Sequence, residues 1–270
     1  MEDSSLTKAA RARLLGCARS TLYYRKTQPE RDWVLKVAIE EVLRGHPSYG
    51  HRRIATALGR KDERPVLRVM KMFGIKAYRR RGRRWRKAKK QATEYPNLLM
   101  GRVPTFPNHA WVADFTYVPW HGDTVYVATV MDVYTRRILG VSVLLTHATV
   151  LVVQALWSAL LAHPRPEIFH SDNGVEYNAI AFREVLENLD VNVSRSKKGC
   201  PWENGYQESF YDKFKVELGD PNRFETLGEL VAEIYRTIHY YNTERIHSAF
   251  DMPPSAFAQL HAPVTMSSIV

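Results

Sequence analysis

Three acidic residues of this sequence lie where a carboxylate is unusual and where it could do chemistry. Asp114 stands within the apolar run 111–118, on the same strand face as Val112; Asp172 follows an apolar run at an Asn-Gly turn; and Glu208 lies in a helix-like segment. An acid in a buried strand is costly unless it is paired or binds a metal. Three converging carboxylates would repel one another unless divalent cations bridge them. The sequence therefore predicts one metal site.

The chemistry that such a site supports is phosphodiester transfer. Two Mg²⁺ ions about 4 Å apart, with Mn²⁺ able to substitute, can activate a water or a 3′-hydroxyl and stabilise the leaving oxygen. The sequence has no Gly-rich phosphate loop of the nucleotide-hydrolase type, so we expect the reaction to run without ATP. Two acids have structural alternatives: Asp114 as a buried acid satisfied by backbone or arginine, and Asp172 as a turn former.

Helical geometry separates Glu208 from its acidic neighbours. At about 100° per residue, one stripe is apolar and is expected to face the core: Tyr206, Phe210 and Phe214. The opposite face carries groups suited to metal and phosphate: Asn204, Glu208, Tyr211 and Lys215. Glu203 points towards the apolar stripe by the same count, whereas Asp212 lies close to Glu208 in angle and is the alternative metal ligand.

The charge of the chain is divided unevenly. The net charge is +11, yet residues 1–100 hold 26 Lys/Arg against 9 Asp/Glu, and residues 101–270 hold 13 against 19. This asymmetry fits a basic segment that binds a polyanion, joined to a domain whose acidic residues serve a different function. The alternative, a solvated charged surface, predicts a more even mixture. Cys17 and Cys200 are too few and too far apart to suggest a disulfide framework or a four-ligand zinc site.

The first 90 residues are predicted to be helical. Two short helices around Gly16 form a helix-turn-helix-like segment over 1–30. Three further helices with tight turns predict a helix-turn-helix domain over 33–90, which includes a basic linker. The apolar stripe of its first helix is Val34, Leu35, Ala38, Ile39 and Val42. The last helix has one basic face that either meets DNA or is solvated: Arg64, Arg68 and Lys71.

The densest positive charge lies in the linker between Tyr78 and Lys90, which contains no acid. Such a segment repels itself unless something anionic neutralises it, and nucleic-acid backbone is the expected partner, with Trp85 available to stack on it. A nuclear-localisation tract is the rival interpretation. The arginines expected to bind DNA here are Arg79, Arg80, Arg81, Arg83, Arg84 and Arg86.

Beyond a proline-containing boundary the pattern becomes strand-like. Three runs are separated by short turns and predict an antiparallel meander: Trp111–Val118, Thr124–Asp132 and Arg137–Leu145. Alternating helices and strands follow, and a final helix begins with a capping box of Thr226 and Glu229. The predicted fold class is α/β: a ribonuclease H-like mixed sheet over 104–262, preceded by the small all-helical region. No run of about 18 apolar residues appears, so we expect a cytoplasmic protein without a membrane partner.

The order and spacing of these motifs resemble the DDE transposase and retroviral integrase superfamily, most closely the second-frame transposases of the insertion-sequence-three family. The motifs are Trp111-Val-Ala-Asp114-Phe-Thr-Tyr117, His170-Ser-Asp172-Asn-Gly174 with Tyr177, Gly199-Cys-Pro-Trp202-Glu-Asn204 leading to Glu208-Ser-Phe210, Tyr241-Asn242 with Arg245 and His247, and His46-Pro-Ser-Tyr49-Gly50 with Arg52 and Arg53. There are 57 residues between Asp114 and Asp172 and 35 between Asp172 and Glu208.

The resemblance implies that Asp114, Asp172 and Glu208 are a catalytic triad for Mg²⁺-dependent DNA cleavage and strand transfer at element ends. It also implies binding to double-stranded DNA (terminal repeats and target), a homo-oligomer on DNA, a first-frame product either fused or separate, and a place on the bacterial nucleoid. Arg52, Arg53 and Arg245 are assigned to DNA, Arg245 alternatively to supporting the triad, and ordinary packing is the alternative for His247. The rival functions are a catalytically inactive, transposase-derived DNA-binding regulator and a structure-specific nuclease.

Overall fold

A computed structural model of the protein describes residues 7–23, 28–78, 95–197 and 200–261. Among these residues, no helix is both long and apolar enough to cross a membrane. Seven residues that were predicted to bind DNA lie outside the described ranges: Arg79, Arg80, Arg81, Arg83, Arg84, Trp85 and Arg86. Their assignment to DNA therefore stays a prediction.

The amino-terminal part is helical, as predicted. It contains α1 (Lys8–Leu14), a 3-10 helix (Arg19–Tyr23), α2 (Gln28–Gly45), α3 (His51–Ala57) and α4 (Arg64–Met72). Helices α2 to α4 enclose one core, in which Ile39, Tyr49 and Ile54 are fully buried. The predicted apolar stripe of α2 is wrong at Val34, which is 69% exposed. Asp32 is buried two residues earlier instead, because Arg68 of α4 pairs with it.

The second part is built on a five-stranded mixed sheet, which confirms the predicted fold class. Its strands are β1 (Ala110–Trp120), β2 (Asp123–Asp132), β3 (Ile138–Leu144), β4 (Ile168–Ser171) and β5 (Asn192–Arg195). The spatial order is β3-β2-β1-β4-β5. Strands β1 to β3 form the predicted antiparallel meander, whereas β4 runs parallel to β1 and β5 runs parallel to β4. The central strand β1 therefore has one antiparallel and one parallel neighbour.

Helices cover both faces of this sheet. They are α5 (Thr149–Leu160), α6 (Val175–Asn178), α7 (Ile180–Asn188), α8 (Gly205–Leu218), α9 (Leu227–Thr243) and α10 (Pro254–Leu260). Trp111 packs with α5 to α7 in one buried cluster, and Val112 packs with α8 and α9 in the other. This alternation along β1 is the period-two pattern of a strand buried on both faces. Asp114 has the parity of Val112 and so belongs to the α8 face.

Helix α9 begins at the predicted capping box. The Glu229 backbone N–H donates to the Thr226 hydroxyl at 3.2 Å, and the Thr226 backbone N–H donates to the Glu229 carboxylate at 3.2 Å. Both otherwise unpaired donors of the first turn are thereby satisfied. The apolar stripe that follows, including Leu230, Ile234 and Ile238, is buried against the sheet.

The predicted core face of α8 is right at Phe210 and Phe214 and wrong at Tyr206. Its buried side chains are Gln207, Phe210, Tyr211, Phe214 and Leu218. Tyr206 was predicted to face the core, but it is 37% exposed and lies against the Arg136 guanidinium at 3.9 Å. The cause is the Gln207 amide, which donates to the carbonyl of Val112 at 2.7 Å and to that of Thr129 at 3.2 Å. An amide with such backbone partners can be buried without the cost of missing hydrogen bonds.

Candidate active site

The parallel pairing of β1 with β4 brings two of the predicted acids together. Val112 lies opposite His170 in the register of these strands. Asp114 and Asp172 each follow two residues later along the chain, which brings both to the same face of the sheet. Asp172 lies just beyond the carboxyl end of β4, and Asp114 lies within the longer strand β1. One carboxylate thus lies on β1 and the other directly follows the neighbouring strand β4, as the predicted metal site requires.

The electrostatics of Asp114 connect it with both other acids. The pKa of Asp114 is raised to about 8, first by burial and then by the negative charges of Asp172 and Glu208. The backbone N–H of Phe115 donates to Asp114 Oδ1 at 2.9 Å and opposes this rise. The Lys215 ammonium opposes it as well. Burial and the nearby negative charges therefore favour the protonated form of Asp114, and a carboxyl pKa raised in this way is typical of catalytic sites.

Asp172 is both a turn residue and a member of this cluster. The backbone N–H of Gly174 donates to its Oδ1 at 3.0 Å, which is the turn that was the structural alternative for this residue. Burial raises the pKa of Asp172, and the nearby Glu176 carboxylate adds to the rise, whereas the Gly174 hydrogen bond and Arg195 lower it. The turn and the proposed metal site are thus compatible, because the turn orients the carboxylate.

Glu208 is positioned by the beginning of α8. The side-chain amides of Asn204 and Gln207 donate to the carbonyls of Ala113 and Val112, at 3.3 and 2.7 Å. These bonds fix the first turn of α8 against the two residues of β1 that precede Asp114. Glu208 itself is half-buried, and this partial burial and the charge of Asp212 raise its pKa.

The two acidic neighbours of Glu208 have other surroundings. Glu203 Oε2 accepts hydrogen bonds from the Lys197 backbone N–H at 2.8 Å and from the Asn97 amide at 3.0 Å. Glu203 therefore links the backbone at Lys197 with the side chain of Asn97. Asp212 is exposed and lies one helical turn beyond Glu208. Of these three acids, Glu208 has the charge that raises the pKa of Asp114.

The carboxylate oxygens of Asp114, Asp172 and Glu208 are suitable ligands for a hard divalent cation, although the three side chains do not lie close enough together to form a complete coordination sphere. Among the described residues, no group of three or more His, Cys, Asp and Glu side chains is close enough together to hold a metal ion. Carboxylate oxygens are nevertheless the ligands that Mg²⁺ prefers, and a cation would relieve the repulsion that raises the pKa of Asp114. Glu208 is only half-buried and is not one of the buried side chains of α8.

Three residues predicted to contact DNA are buried, and the prediction is corrected for that reason. Tyr211 is 7% exposed, and its hydroxyl donates to the Asp114 carbonyl at 2.6 Å. Asn204 is 4% exposed and bonds to β1 as described. Arg245 follows the end of α9, is 2% exposed and donates to Glu217 at 3.3 Å. These side chains support the site or the fold in this conformation, and their surfaces are not open to DNA.

The other basic residues assigned to DNA differ in their exposure and in the side chains that they contact. Arg68 is committed to Asp32 through two hydrogen bonds of 2.6 Å, which lower the pKa of that carboxyl. Arg64 pairs with Asp62 at 2.9 Å and Arg52 with Glu63 at 3.2 Å, both at the surface. Half-buried Arg53 lies over the Tyr49 ring at 5.9 Å. The remaining members are the exposed Lys71 and the half-buried Lys215, whose ammonium lies 4.7 Å above the Tyr117 ring.

Sequence reasoning did not single out two side chains beside Asp172. Glu176 is buried, and its carboxylate lies 3.0 Å from His147 Nδ1 at the start of α5. Arg195 is fully buried and donates to the Tyr177 carbonyl at 2.8 Å. Burial lowers the pKa of Arg195 to about 10, and its positive charge acts on Asp172. The signal that could have found it is an arginine at the end of a strand-like run.

The chain is similar to known proteins over most of its length. Residues 104–201 and residues 189–254 match two family models, each described as integrase core domain. The transposase for insertion sequence element IS904 of Lactococcus lactis is 34% identical over 239 residues, which cover 84% of this chain and 93% of that protein. The putative transposase for insertion sequence element IS986/IS6110 of Mycobacterium tuberculosis is 30% identical over 240 residues, covering 83% and 86%.

A solved structure shares the fold. A chain of the simian T-cell lymphotropic virus intasome in complex with PP2A regulatory subunit B56 gamma superposes with a TM-score of 0.54 and 15% identity, covering 86% of this chain and 77% of that chain. The mixed sheet is thus the ribonuclease H-like sheet of integrase cores. The chain belongs to the DDE transposase and retroviral integrase superfamily, as a transposase of the insertion-sequence-three type.

Proposed function

We propose that this transposase cleaves and joins DNA strands at the ends of an insertion sequence, with Asp114, Asp172 and Glu208 as its catalytic carboxylates. The observation that carries the proposal is the parallel register of β1 with β4, which places Asp114 next to Asp172, while α8 with Glu208 is bonded to the two residues of β1 that precede Asp114. The raised pKa of Asp114, to which the charges of both other acids contribute, agrees with this placement. A structural acid in a core has little reason to be surrounded by like charges. Such a cluster is expected where a cation and a phosphodiester are to be bound.

The three carboxylates would hold Mg²⁺, or Mn²⁺ in its place. When two ions are bound, they supply activation of a water or a 3′-hydroxyl and stabilisation of the leaving oxygen. The protein contributes rigid placement: Gln207 ties α8 to β1, and Tyr211 bonds to the Asp114 carbonyl. Lys215, whose positive charge reaches Asp114, lies where it can attract a phosphate of the DNA backbone.

Double-stranded DNA, both terminal repeats and target, is the proposed substrate and partner. The residues that would meet its phosphates are the exposed Arg52, Arg64 and Lys71, together with the basic linker from Arg79 to Lys90 that the sequence predicts. One transposition event processes two element ends, so we infer that more than one copy of the chain acts on DNA. A first-frame product, fused or separate, is a further proposed partner.

Replacement of Arg79, Arg80, Arg83 and Arg84 by Gln is expected to flatten the salt dependence of DNA binding. Each arginine–phosphate pair contributes about 0.9 to the slope of log K against log salt, so removal of four pairs changes that slope by roughly 3.6. Fluorescence anisotropy of a labelled duplex, recorded at salt concentrations from about 50 to about 200 mM, measures this slope. Arg236→Gln is the control, because Arg236 is an exposed arginine that pairs with Glu233. An unchanged slope in the fourfold variant would argue against the linker.

The proposed reaction is tested with purified full-length protein, labelled donor ends, a target duplex and Mg²⁺. We expect joined strands, with none formed when EDTA replaces the metal. Cleavage without joining would instead support a nuclease, and binding without chemistry would support a transposase-derived regulator. These three outcomes separate the candidate functions.

A further inference from the structure

The motif His46-Pro47-Ser48-Tyr49-Gly50 lies between α2 and α3, where the helical part meets the sheet domain. It contacts the carboxyl ends of α8 and α9 and the residues that follow α9. The side chains at this junction form what we call the docking cluster: His46, Ser48, Tyr49, Glu217, Tyr240 and Arg245. None of them belongs to the proposed active site.

Aromatic rings make the first half of the docking cluster. His46 Nδ1 lies 2.5 Å from the Tyr240 hydroxyl, and its ring stacks on that of Tyr49 with 4.5 Å between centroids. The Tyr49 hydroxyl accepts the backbone N–H of Ile246 at 2.8 Å. Tyr49 is completely buried, and the Ile246 side chain packs against the core of the helical part. One ring thus joins both domains.

A shared carboxylate makes the second half. The Ser48 hydroxyl donates to Glu217 Oε1, and Arg245 Nε donates to the same oxygen at 3.3 Å. The side chains of Glu217 and Arg245 are only 8% and 2% exposed. A buried, hydrogen-bonded charge tolerates little displacement, because a shifted partner leaves it unsatisfied. The bond from Ser48 therefore fixes the helical part against α8 in one arrangement.

The same helix carries the proposed catalytic acid. Glu208 lies in the first turn of α8 and Glu217 in the last, and nine residues at a rise of 1.5 Å separate them by roughly 14 Å along the axis. The first turn is bonded to β1 and the last to the helical part. Helix α8 is thus held at both ends, one in the active site and the other in the domain that is proposed to bind DNA.

We propose that His46, Ser48 and Tyr49 are positioning residues, which dock the helical part on the end of α8 so that bound DNA and Glu208 keep a fixed relation. This inference rests on the proposed function. A role in DNA contact does not suit the docking cluster, because Tyr49 and Arg245 are buried and the hydroxyl of Ser48 is used within the protein. Positioning matters for catalysis because a misplacement of about 1 Å can cost about a hundredfold in rate.

The test compares Ser48→Ala, which removes the hydroxyl, with Ser48→Thr, which keeps it, in the full chain. Tyr49→Phe removes the acceptor of the Ile246 N–H, and Tyr235→Phe is the matched control on an exposed face of α9. The rate of strand transfer at saturating DNA is expected to fall about 10- to 100-fold in Ser48→Ala and Tyr49→Phe. The DNA concentration that gives the half-maximal rate is expected to stay unchanged. Ser48→Thr and Tyr235→Phe are expected to stay within about twofold of wild type.

Rates within twofold of wild type in both Ser48→Ala and Tyr49→Phe would overturn the inference, and so would a parallel loss of DNA affinity. Hydrogen exchange gives a second measurement that does not depend on catalysis. Exchange over residues 244–250 is expected to speed up in Tyr49→Phe and to stay unchanged in Tyr235→Phe. If wild type joins no strands, the proposed function fails, and docking is then judged by exchange alone: unchanged exchange in Tyr49→Phe overturns it.

Discussion

Glu208→Gln is expected to reduce strand transfer by about a thousandfold or more while leaving DNA affinity unchanged. Metal-assisted stabilisation of the reacting phosphate is worth several kcal/mol, and each 1.36 kcal/mol is about tenfold in rate. Gln keeps the size of the side chain but removes the charge that reaches Asp114. Asp172→Asn is expected to have an equally large effect. Joined and cleaved products on labelled ends, resolved by denaturing electrophoresis, measure both variants.

Two neighbours of Glu208 provide controls for this prediction. Asp212→Asn removes an exposed acid one turn later in the same helix, and Glu203→Gln removes an acid that is hydrogen-bonded to Lys197 and Asn97. Asp212→Asn is expected to retain strand transfer within a few-fold. Activity that survives in Glu208→Gln and disappears in Asp212→Asn would move the third ligand to Asp212.

Asp114→Asn is expected to stabilise the metal-free protein at pH 8, on the order of a few kcal/mol. Burial, followed by the charges of Asp172 and Glu208, raises the pKa of Asp114 from 3.8 to about 8. Because the unfolded chain releases this proton at lower pH than the folded chain does, the folded state loses stability as the pH rises between these values. The cost is absent below pH 3.8 and complete above about pH 8.

The free energy of unfolding, measured with urea in EDTA at several pH values, tests this expectation. The difference between Asp114→Asn and wild type should grow with pH, and the same difference for the exposed Asp212→Asn should stay flat. Taking differences removes the contributions of buried histidines, such as His170, whose pKa is lowered to about 4 by burial. Addition of Mg²⁺ at pH 8 should stabilise wild type and leave Asp114→Asn unaffected. A difference that does not vary with pH would contradict the raised pKa.

Much of the fold could be predicted because local patterns and tertiary packing agree. The apolar run from Trp111 to Val118 predicted a buried strand, and the capping box of Thr226 and Glu229 located the start of α9. The meander followed from short turns between β-rich runs. Two elements were missed, α6 and α10, which are only four and seven residues long and carry weak periodic signals.

The errors occur where hydrogen bonds between distant segments outweigh hydrophobicity. Gln207 is buried because backbone carbonyls of β1 and β2 receive its amide, and this rotates Tyr206 outwards. Arg245 is buried because Glu217, 28 residues earlier, lies beside it. Helical periodicity counts apolar residues and does not register such partners. For the site, the sequence could identify Asp114 and Asp172 as candidates. That the two residues lie next to each other follows from the parallel register of β1 with β4, which their spacing in the sequence does not reveal.

The hydrogen bond between Tyr49 and Ile246 also bears on how the chain is made. These residues are 197 positions apart, and the core of the helical part includes the Ile246 side chain. During synthesis from the amino terminus, helices α2 to α4 emerge long before this residue does. The helical part of a nascent or truncated chain therefore lacks the partners of Ser48, His46 and Tyr49 until Glu217, Tyr240 and Ile246, respectively, have been added. The junction between the helical part and the sheet domain can therefore form only after the residues that follow α9 have been synthesised.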